Sequence, residues 1–308
     1  MDSIKVFSPA SVANVACGYD IFGFALYDIG DEITLTKRND SKLVITKVSG
    51  AELPLSPDKN VATVAISSLL ERIHSTQGFD IEIHKNVNPG SGLGSSASSA
   101  AGAAFAANAL LGNPFTKSEL IQNAMAGEIV ASQSAHADNV SPAMLGGFTI
   151  VRSCEPDVDV FQIDYPEELV ILIVFPQVQV KTAEAKRMLG DTISLNKARE
   201  QWGNVAGLTA GLMKKDWGLI ERSLVDVVAE PVRKNLIPHY EDVKEIALKN
   251  GALGFNISGS GPSMFSFYRN ESEAKAGIDE IRDIYNRLSI DSFFHISKIN
   301  PKGTHIIE

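Results

Sequence analysis

The feature that most constrains the fold is a glycine-rich segment at 88–96, Asn-Pro-Gly-Ser-Gly-Leu-Gly-Ser-Ser, which runs directly into an alanine-rich stretch at 97–111. Alanine is the strongest helix former, and Gly112 follows the stretch as glycine commonly follows the end of a helix. The pattern therefore predicts a glycine-rich loop that opens a long helix. A flexible glycine-serine linker is the alternative, but a linker would not lead straight into so strong a helix former.

A loop of this kind is suited to binding phosphate. Glycine lets the backbone approach a phosphate closely and adopt positive φ, and the first N–H groups of the following helix attract an anion. Ser95 and Ser96 add hydroxyl groups. Two common nucleotide-binding loops are excluded by spacing, because a P-loop requires Lys and a dinucleotide-binding loop requires Gly at the position where Ser95 stands.

The overall charge favours a small-molecule ligand. The chain of 308 residues has a formal net charge of −9, which would repel nucleic acid and anionic membranes. The longest apolar run, 169–175, is too short to cross a bilayer as a helix. We therefore expect no nucleic-acid partner and no membrane partner, and a homodimer is a candidate assembly.

The two cysteines carry little structural information. Cys17 and Cys154 are far apart and match no metal-ligand spacing, so neither a zinc site nor a disulfide framework is indicated. The first residues lack a basic segment followed by an apolar stretch, and we expect no secretory signal. These patterns are typical of a soluble cytoplasmic protein.

Apolar periodicity predicts a mixture of helices and strands. We predict strands at 31–38, 42–48, 79–84, 147–152, 169–175, 252–257, 264–268 and 293–299. We predict helices at 60–73, 97–111, 117–132, 195–212, 217–228, 240–249 and 272–288. Asn39-Asp40 lies between the first two strands and predicts a hairpin turn there, and the polar stretch 133–142 follows the third helix. This order indicates an α+β fold rather than a regularly alternating parallel sheet.

Two further segments combine small and polar residues as the loop does. One is Pro9 to Asn14 together with Gly18-Tyr19-Asp20, and the other is Gly254 to Pro262. With the loop at 88–96 between them, these segments resemble, in the same order, the three motifs of the GHMP kinases, which phosphorylate galactose, homoserine, mevalonate and phosphomevalonate. The likeness spans nearly the whole chain.

The resemblance implies a two-domain kinase that uses ATP and Mg²⁺. We expect an amino-terminal α+β domain at 1–165 that holds the loop, and a ferredoxin-like carboxy-terminal domain at 166–308. The loop would wrap the ATP phosphates, with Ser96 near the Mg²⁺ ion and Gly259 bordering the site. Asn60 would contact the nucleotide base, although Asn at a helix start is more often only a cap. The loop residues implied are Pro89, Gly90, Ser91, Gly92, Leu93, Gly94, Ser95 and Ser96.

Glu128 is the candidate metal carboxylate. Mg²⁺ keeps several waters and needs few protein ligands, so one carboxylate beside the phosphates is enough. Glu128 lies on a predicted helix among Ala, Gly and apolar residues, where a charge requires a partner. An ordinary solvated helix glutamate is the alternative, and the resemblance favours the metal ligand.

Within the family, the stretch 134–142 most resembles the members that phosphorylate homoserine, as do 181–187 and 230–238. Homoserine has a carboxylate, which Arg can bind through two hydrogen bonds, and an ammonium group, which needs an anion. Arg187 and Arg233 suit the carboxylate, and Asp20 suits the ammonium group. The remaining polar groups of the predicted pocket are Asn14, His136, Asn139 and Thr182. Without the motifs, each of these would be interpreted as a solvated, capping or turn residue.

The resemblance also indicates how the proton of the acceptor hydroxyl leaves. Some GHMP kinases carry an Asp as base eleven positions beyond the metal-binding Glu, and in this chain that position is Asn139. Asn is not a useful base, so Asn139 would position the hydroxyl while the proton passes to a γ-phosphate oxygen or to solvent. Asp138 precedes it and could serve as a base if the loop shifted.

Two other functions stay open at this point. One is a GHMP kinase for another alcohol, such as mevalonate or shikimate, which would not need Asp20 together with Arg187 and Arg233. The other is a non-catalytic metabolite sensor on the same fold, which would have lost Glu128 or the loop. Both features are present here.

Overall fold

The computed structural model describes residues 2–132, 137–180, 185, 187–190 and 192–308. Helices and strands are mixed along this part of the chain, and the strands form two sheets. The α+β class predicted from the sequence is confirmed.

The first sheet is built almost entirely from the first half of the chain. Its described strands are β1 (Ser3–Val15), β2 (Gly18–Lys37), β3 (Leu43–Ser49), β4 (Phe79–His84), β5 (Phe148–Ser153), β6 (Asp159–Ile163) and β11 (His305–Ile306). Their order is β11-β1-β2-β4-β3, with β5 beside β2 and β6 beside β5. The long hairpin of β1 and β2 is the centre of this sheet, and β11 returns the carboxy-terminal end of the chain to its edge.

The second sheet belongs to the second half of the chain. Its strands are β7 (Val170–Pro176), β8 (Gly254–Ile257), β9 (Met264–Tyr268) and β10 (Ser292–Ser297), in the order β10-β7-β9-β8 with antiparallel pairing throughout. Helices lie between β7 and β8 and between β9 and β10. This βαββαβ connectivity is the ferredoxin-like arrangement that the resemblance to the GHMP kinases implies.

The helices pack against the two sheets. In the first half they are α1 (Val61–Arg72), α2 (Ser95–Leu110), α3 (Lys117–Ser132) and α4 (Ala137–Leu145). In the second half they are α5 (Leu195–Lys214), α6 (Trp217–Ser223), α7 (Glu230–Arg233), a 3₁₀ turn (Lys234–Leu236), α8 (Tyr240–Lys249), α9 (Glu271–Ala276) and α10 (Ile278–Arg287). Helix α2 packs on β1 and β2, and α1 and α3 pack against α2.

Alternation along the strands divides the core. In β7, Leu172 and Val174 face α8 and α10, whereas Ile171 and Ile173 face the opposite way, toward the first sheet. Phe24 of β2 stands at this junction, fully buried, with its ring 6.1 Å from that of Phe148, 6.0 Å from Phe265 and 5.5 Å from Phe267. The two sheets therefore share one aromatic core.

Several sequence predictions need correction. The hairpin at Asn39-Asp40 is wrong, because β4 lies between β2 and β3 and pairs with β3 in parallel. Strand β4 buries Phe79, Ile81 and Ile83, whereas β3 buries no residue fully and takes the edge of the sheet. The helix predicted at 217–228 ends at Ser223, and α4 forms within the polar stretch 133–142 and beyond it.

The aromatic junction predicts the effect of a core substitution. Phe24→Ala should lower the free energy of unfolding by about 3–5 kcal/mol, since a large cavity would open where the two sheets meet. Urea unfolding followed by circular dichroism measures this change, and Phe24→Leu, which keeps most of the volume, should cost clearly less. A loss below about 1 kcal/mol for Phe24→Ala would show that the junction does not hold the sheets together.

Candidate active site

A cleft of about 600 Å³ lies beside the glycine-rich loop, between the two halves of the chain. It is large enough for a nucleotide and contains most of the site residues predicted from the sequence. Those that line it are Asn14, Asp20, Asn60, Pro89, Gly90, Gly92, Gly94, Ser95, Ser96, Glu128, Asn139, Arg233 and Gly259. Ser91 and Leu93 also belong to the loop, but they are buried and do not line the cleft.

Two glycines of the loop are required by close contacts as well as by backbone conformation. Gly92 has φ of 83°, and a Cβ atom there would lie 2.6 Å from the carbonyl oxygen of Ser258. Gly94 has φ of 64°, and a Cβ atom would lie 2.1 Å from Oγ of Ser11. Both distances are far below van der Waals contact, so only glycine fits at these two positions of the loop. The loop is thereby held against the other two predicted motifs, at Ser11 and at Ser258.

A buried ion pair, missed by the sequence analysis, anchors both ends of the loop. The carboxylate of Asp31 accepts the backbone N–H groups of Asn86 and Val87 at 3.1 and 3.2 Å, just before the loop. It also accepts the hydroxyl of Ser99 at 2.7 Å, just after the loop, and forms an ion pair with Lys85. Lys85 in turn donates to the carbonyl oxygen of Ser95 at 2.7 Å.

The burial of Lys85 could not be predicted from the sequence. Lys85 follows the last residue of β4, where the alternation of buried and exposed residues no longer indicates which way a side chain points. Burial is the main influence on its ammonium group and lowers its pKa, while the charges of Asp31 and Glu128 act in the opposite direction. The side chain also reaches the cleft wall. Lys85 therefore places an ammonium group under the loop, where the carboxylate of Asp31 balances its charge.

The start of α2 offers hydrogen-bond donors to the cleft. Its N-cap is Gly94, which has no side chain and therefore offers no acceptor to the first N–H groups of the helix. The hydroxyl of Ser95 is directed away, to the carbonyl oxygen of Val87 at 2.7 Å. Backbone N–H groups at an uncapped helix start attract an anion.

Glu128 of α3 faces this helix start and is only 3% exposed. Burial raises the pKa of its carboxyl group to about 7, although a hydrogen bond from Ser96 and the charge of Lys85 lower it. A buried carboxyl group beside a serine hydroxyl in a cleft is a suitable pair of oxygen ligands for a hard cation. Among the residues that the structure describes, no group of three or more His, Cys, Asp and Glu side chains could hold a metal ion by itself.

A second group of polar residues lies where β1 turns into β2. Asn14 and Asp20 both have φ of 55°, and Oδ1 of Asn14 accepts the N–H of Asp20 at 2.8 Å. The Asp20 side chain is exposed at the cleft wall. This turn therefore presents one carboxylate and one amide to the same space.

Asp138 and Asn139, at the start of α4, differ in their surroundings. Asp138 is buried, and its Oδ2 accepts the N–H of Asn14 at 3.3 Å. Burial, together with the nearby charge of Asp20, raises the pKa of Asp138 to about 7. Asn139 instead lines the cleft, and its Oδ1 accepts the hydroxyl of Ser11 at 3.1 Å. Of these two side chains, the amide of Asn139 is the one that faces the cleft.

Arg233 is the guanidinium at the cleft and is 5% exposed. Its acceptors among the described residues are uncharged: the carbonyl oxygens of Ala185 and Gly259, each at 3.2 Å, and the hydroxyl of Tyr19 at 3.4 Å. The guanidinium carbon also lies 5.0 Å from the centre of the Tyr19 ring. A buried cation held by neutral groups is well placed to bind an anionic ligand.

Three predicted residues are not brought to the cleft by the described structure. Arg187 is exposed and does not line it. His136 and Thr182 lie outside the described residues.

Asn60 lines the cleft, but its side chain accepts the N–H of Ala62 at 3.0 Å and donates to the carbonyl oxygen of Pro54 at 2.9 Å. In this structure it acts as the cap of α1.

Sequence models of one family match both halves of the chain. The model of the GHMP kinases N terminal domain matches residues 60–147, and the model of the GHMP kinases C terminal region matches residues 208–287. These two regions contain the loop, Glu128, Asn139, Arg233 and Gly259.

Relatives with curated names match the chain over its full length. The homoserine kinase of Chlorobaculum tepidum is 44% identical over 321 residues and covers 100% of this chain and 99% of its own. That of Chloroherpeton thalassium is 43% identical over 320 residues, with complete coverage of both chains.

Solved structures show the same relationship. The crystal structure of homoserine kinase from Cytophaga hutchinsonii superposes with a TM-score of 0.96 at 43% identity and covers 100% of this chain and 98% of that one. L. major mevalonate kinase, in complex with R-mevalonate, has a TM-score of 0.72 at 15% identity, covers 96% of each chain and shows the shared fold alone. No described helix is long and apolar enough to cross a membrane.

The burial of Glu128 predicts a pH-dependent stability. A carboxyl group with its pKa raised from 4.5 to about 7 stabilises the folded state fully below pH 4.5, and this contribution is lost as the pH rises through about 7. In metal-free and nucleotide-free protein, Glu128→Gln should therefore gain stability relative to wild type between pH 5 and pH 8, by up to roughly 3 kcal/mol. Denaturant unfolding at both pH values measures the gain. Glu71→Gln, at an exposed glutamate, is the control and should change the free energy of unfolding by the same amount at both pH values. If the effect of Glu128→Gln is also the same at both pH values, Glu128 does not have a pKa raised by burial.

Proposed function

The chain belongs to the GHMP kinase family, and from this premise we propose that it transfers the γ-phosphoryl group of ATP to the side-chain hydroxyl of L-homoserine. The product would be O-phospho-L-homoserine, an intermediate of threonine biosynthesis. Full-length relatives named homoserine kinase at 43–44% identity support this substrate. The observation that carries the proposal is the presence of Arg233 and Asp20 in one cleft with the phosphate-binding loop.

The two charged side chains match the two charged ends of an amino acid. The guanidinium of Arg233, which has only neutral acceptors among the described residues, would bind the α-carboxylate. The exposed carboxylate of Asp20 would bind the α-ammonium group, with Asn14 fixing the turn that carries it. His136, Thr182 and Arg187 remain predicted contacts from parts of the chain that the described cleft does not include.

ATP would lie along the loop with its phosphates at the start of α2. The uncapped N–H groups of α2 and the backbone of 89–96 would hold the phosphates, and the ammonium group of Lys85 would lie below them. The cleft is also lined by Leu53, Pro54 and Val61, which would offer an apolar surface for the base. Asn60 would border the base while it caps α1.

Mg²⁺ would bind between Ser96 and Glu128, since both offer oxygen atoms at the phosphate end of the cleft. When bound, the ion would neutralise charge on the β- and γ-phosphates. Binding would also favour the ionised form of Glu128, which burial alone disfavours.

Catalysis would depend on alignment rather than on a strong base. Phosphoryl transfer passes through a loose transition state, so the largest gain comes from holding the hydroxyl in line with the γ-phosphorus. Asn139, held by Ser11, would orient the hydroxyl. The proton would leave to a γ-phosphate oxygen or to solvent, because Asp138 is buried behind Asn14 and does not line the cleft.

We also propose a domain boundary between residues 165 and 166. It lies in the segment between β6 and β7, which joins the two sheets. Only β11 crosses back to the first sheet within the described residues. We place the enzyme in the cytoplasm, where ATP is available and both cysteines would stay reduced.

A coupled ADP-release assay tests the function. The purified protein should release ADP with homoserine and not with mevalonate, galactose or shikimate at equal concentration. Glu128→Gln should abolish nearly all of this activity while retaining the fold. Preference for one of the other alcohols would overturn the proposed substrate. Activity of Glu128→Gln close to that of wild type at saturating Mg²⁺ would overturn the metal-binding role of Glu128.

The role of Arg233 predicts a selective loss of substrate affinity. Arg233→Met should raise the KM for homoserine by about 10- to 100-fold with little change in the KM for ATP, because a lost hydrogen bond to a charged group costs about 1.5–3 kcal/mol. Arg187→Met should raise it less, since that side chain is exposed. Steady-state kinetics with each substrate varied measure both. Weaker ATP binding in Arg233→Met would place Arg233 in the phosphate site instead.

The role of Asn139 predicts that neither Ala nor Asp can replace it. Asn139→Ala should lower kcat because the hydroxyl loses its alignment. Asn139→Asp should also lower kcat, since a carboxylate there would be repelled by the ATP phosphates. The dependence of kcat on pH, measured for wild type and for Asp138→Asn, separates alignment from base catalysis. If wild type shows a limb near the carboxyl pKa, and Asp138→Asn loses both that limb and nearly all turnover, then Asp138 is the base.

A further inference from the structure

The two charged groups proposed to bind the amino acid come from distant parts of the chain. Asp20 is near the start of β2, and Arg233 is the last residue of α7. Recognition of a molecule with a charge at each end requires a fixed separation between the two partners. A structural element must therefore connect the Asp20 turn to α7.

Gln201 of α5 makes that connection through a buried side chain that is 8% exposed. Its Nε2 donates to the carbonyl oxygen of Cys17 at 2.9 Å, three residues before Asp20. The same Nε2 donates to Oδ1 of Asp226 at 2.9 Å, and Oε1 accepts the N–H of Val227 at 2.9 Å. One amide thus contacts both segments.

Asp226 extends the connection to Arg233. Its Oδ1 accepts the N–H groups of Val228 and Ala229 at 2.8 and 3.0 Å, and its Oδ2 accepts the N–H of Glu230 at 2.8 Å. These N–H groups lead into and begin α7, so Asp226 fixes the start of the single helical turn that ends at Arg233. A shift of Asp226 would move the guanidinium.

The connection closes at the ligand side. The hydroxyl and ring of Tyr19, next to Asp20, contact the Arg233 guanidinium. The Asp20 turn and α7 are therefore joined in front by Tyr19 and Arg233 and behind by Gln201 and Asp226. The rear connection consists of hydrogen bonds of 2.8–3.0 Å made by the buried side chains of Gln201 and Asp226, whose polar groups are costly to leave unpaired.

We propose that Gln201 is a positioning residue that sets the separation between Asp20 and Arg233, and so selects substrates that carry both an ammonium and a carboxylate group. The inference rests on the proposed function. Loss of Gln201 should weaken binding of a substrate that has both charged groups more than binding of a substrate that has only one of them. Only the substrate with both groups depends on the distance between Asp20 and Arg233.

The test compares homoserine with two analogues that each lack one charged group: 3-aminopropan-1-ol, without the carboxylate, and 4-hydroxybutyrate, without the amine. Gln201→Met, which keeps the length of the side chain without its hydrogen bonds, should lower kcat/KM for homoserine about tenfold, mainly through KM. This ratio corresponds to about 1.4 kcal/mol. The values for both analogues and the KM for ATP should stay within about twofold of wild type.

Asn204→Met is the matched control, because Asn204 lies on the same helix and donates to the carbonyl oxygen of Val225 at 3.1 Å without reaching Cys17. It should leave all three substrates unchanged. If Gln201→Met does not yield folded protein, Gln201→Asn, which keeps the amide one carbon shorter, should show the same selective loss.

The outcomes separate this inference from the function on which it rests. Equal losses for all three substrates, or an unchanged KM for homoserine in a folded Gln201 variant, would overturn the positioning role alone. A wild-type protein that does not phosphorylate homoserine would overturn both.

Discussion

The buried ion pair of Asp31 and Lys85 is the interaction on which the cleft depends. The Asp31 carboxylate binds backbone and side-chain donors on both sides of the glycine-rich loop, and Lys85 ties the first residue of α2 to the same anchor. A buried pair is stable only when its remaining hydrogen-bonding capacity is satisfied, and here the loop ends satisfy it. The position of the loop is therefore fixed before any ligand arrives, and only glycine at positions 92 and 94 then fits between the neighbouring segments.

Charged groups in this cleft and next to it reduce stability without a ligand. Burial raises the pKa of both Glu128 and Asp138 to about 7, so ionisation of either is costly in the free protein. Arg233 is likewise a cation held by neutral acceptors. A cation beside Glu128 and a carboxylate beside Arg233 would each relieve one of these costs. Such tension between stability and binding is common in active sites, and it explains why the charges face a cleft rather than one another.

Sequence alone predicted much of this site and less of its support. The loop was recognisable because closely spaced glycines before a strong helix former are a local signal, whereas Glu128 and Arg233 were assigned to the site through the resemblance to the GHMP kinases. The strands around Asp20 were not predicted, since their small and polar residues interrupt the usual alternation. The hairpin at Asn39-Asp40 failed because β4, distant in sequence, competes for the same sheet edge. The role of Gln201 could not be predicted for a similar reason, because its hydrogen-bond partners, Cys17 and Asp226, are distant in sequence and become neighbours only in the folded structure.

In the proposed function, one cleft aligns the hydroxyl of an amino acid, bound through its ammonium and carboxylate groups, with the γ-phosphate of ATP. A crystal structure of the protein with homoserine, Mg²⁺ and a non-hydrolysable ATP analogue tests it most directly. We expect the substrate carboxylate on Arg233, its ammonium group on Asp20, and its hydroxyl beside Asn139 facing the γ-phosphate. Homoserine bound away from Arg233 and Asp20, or with its hydroxyl directed to Asp138 instead of Asn139, would contradict it.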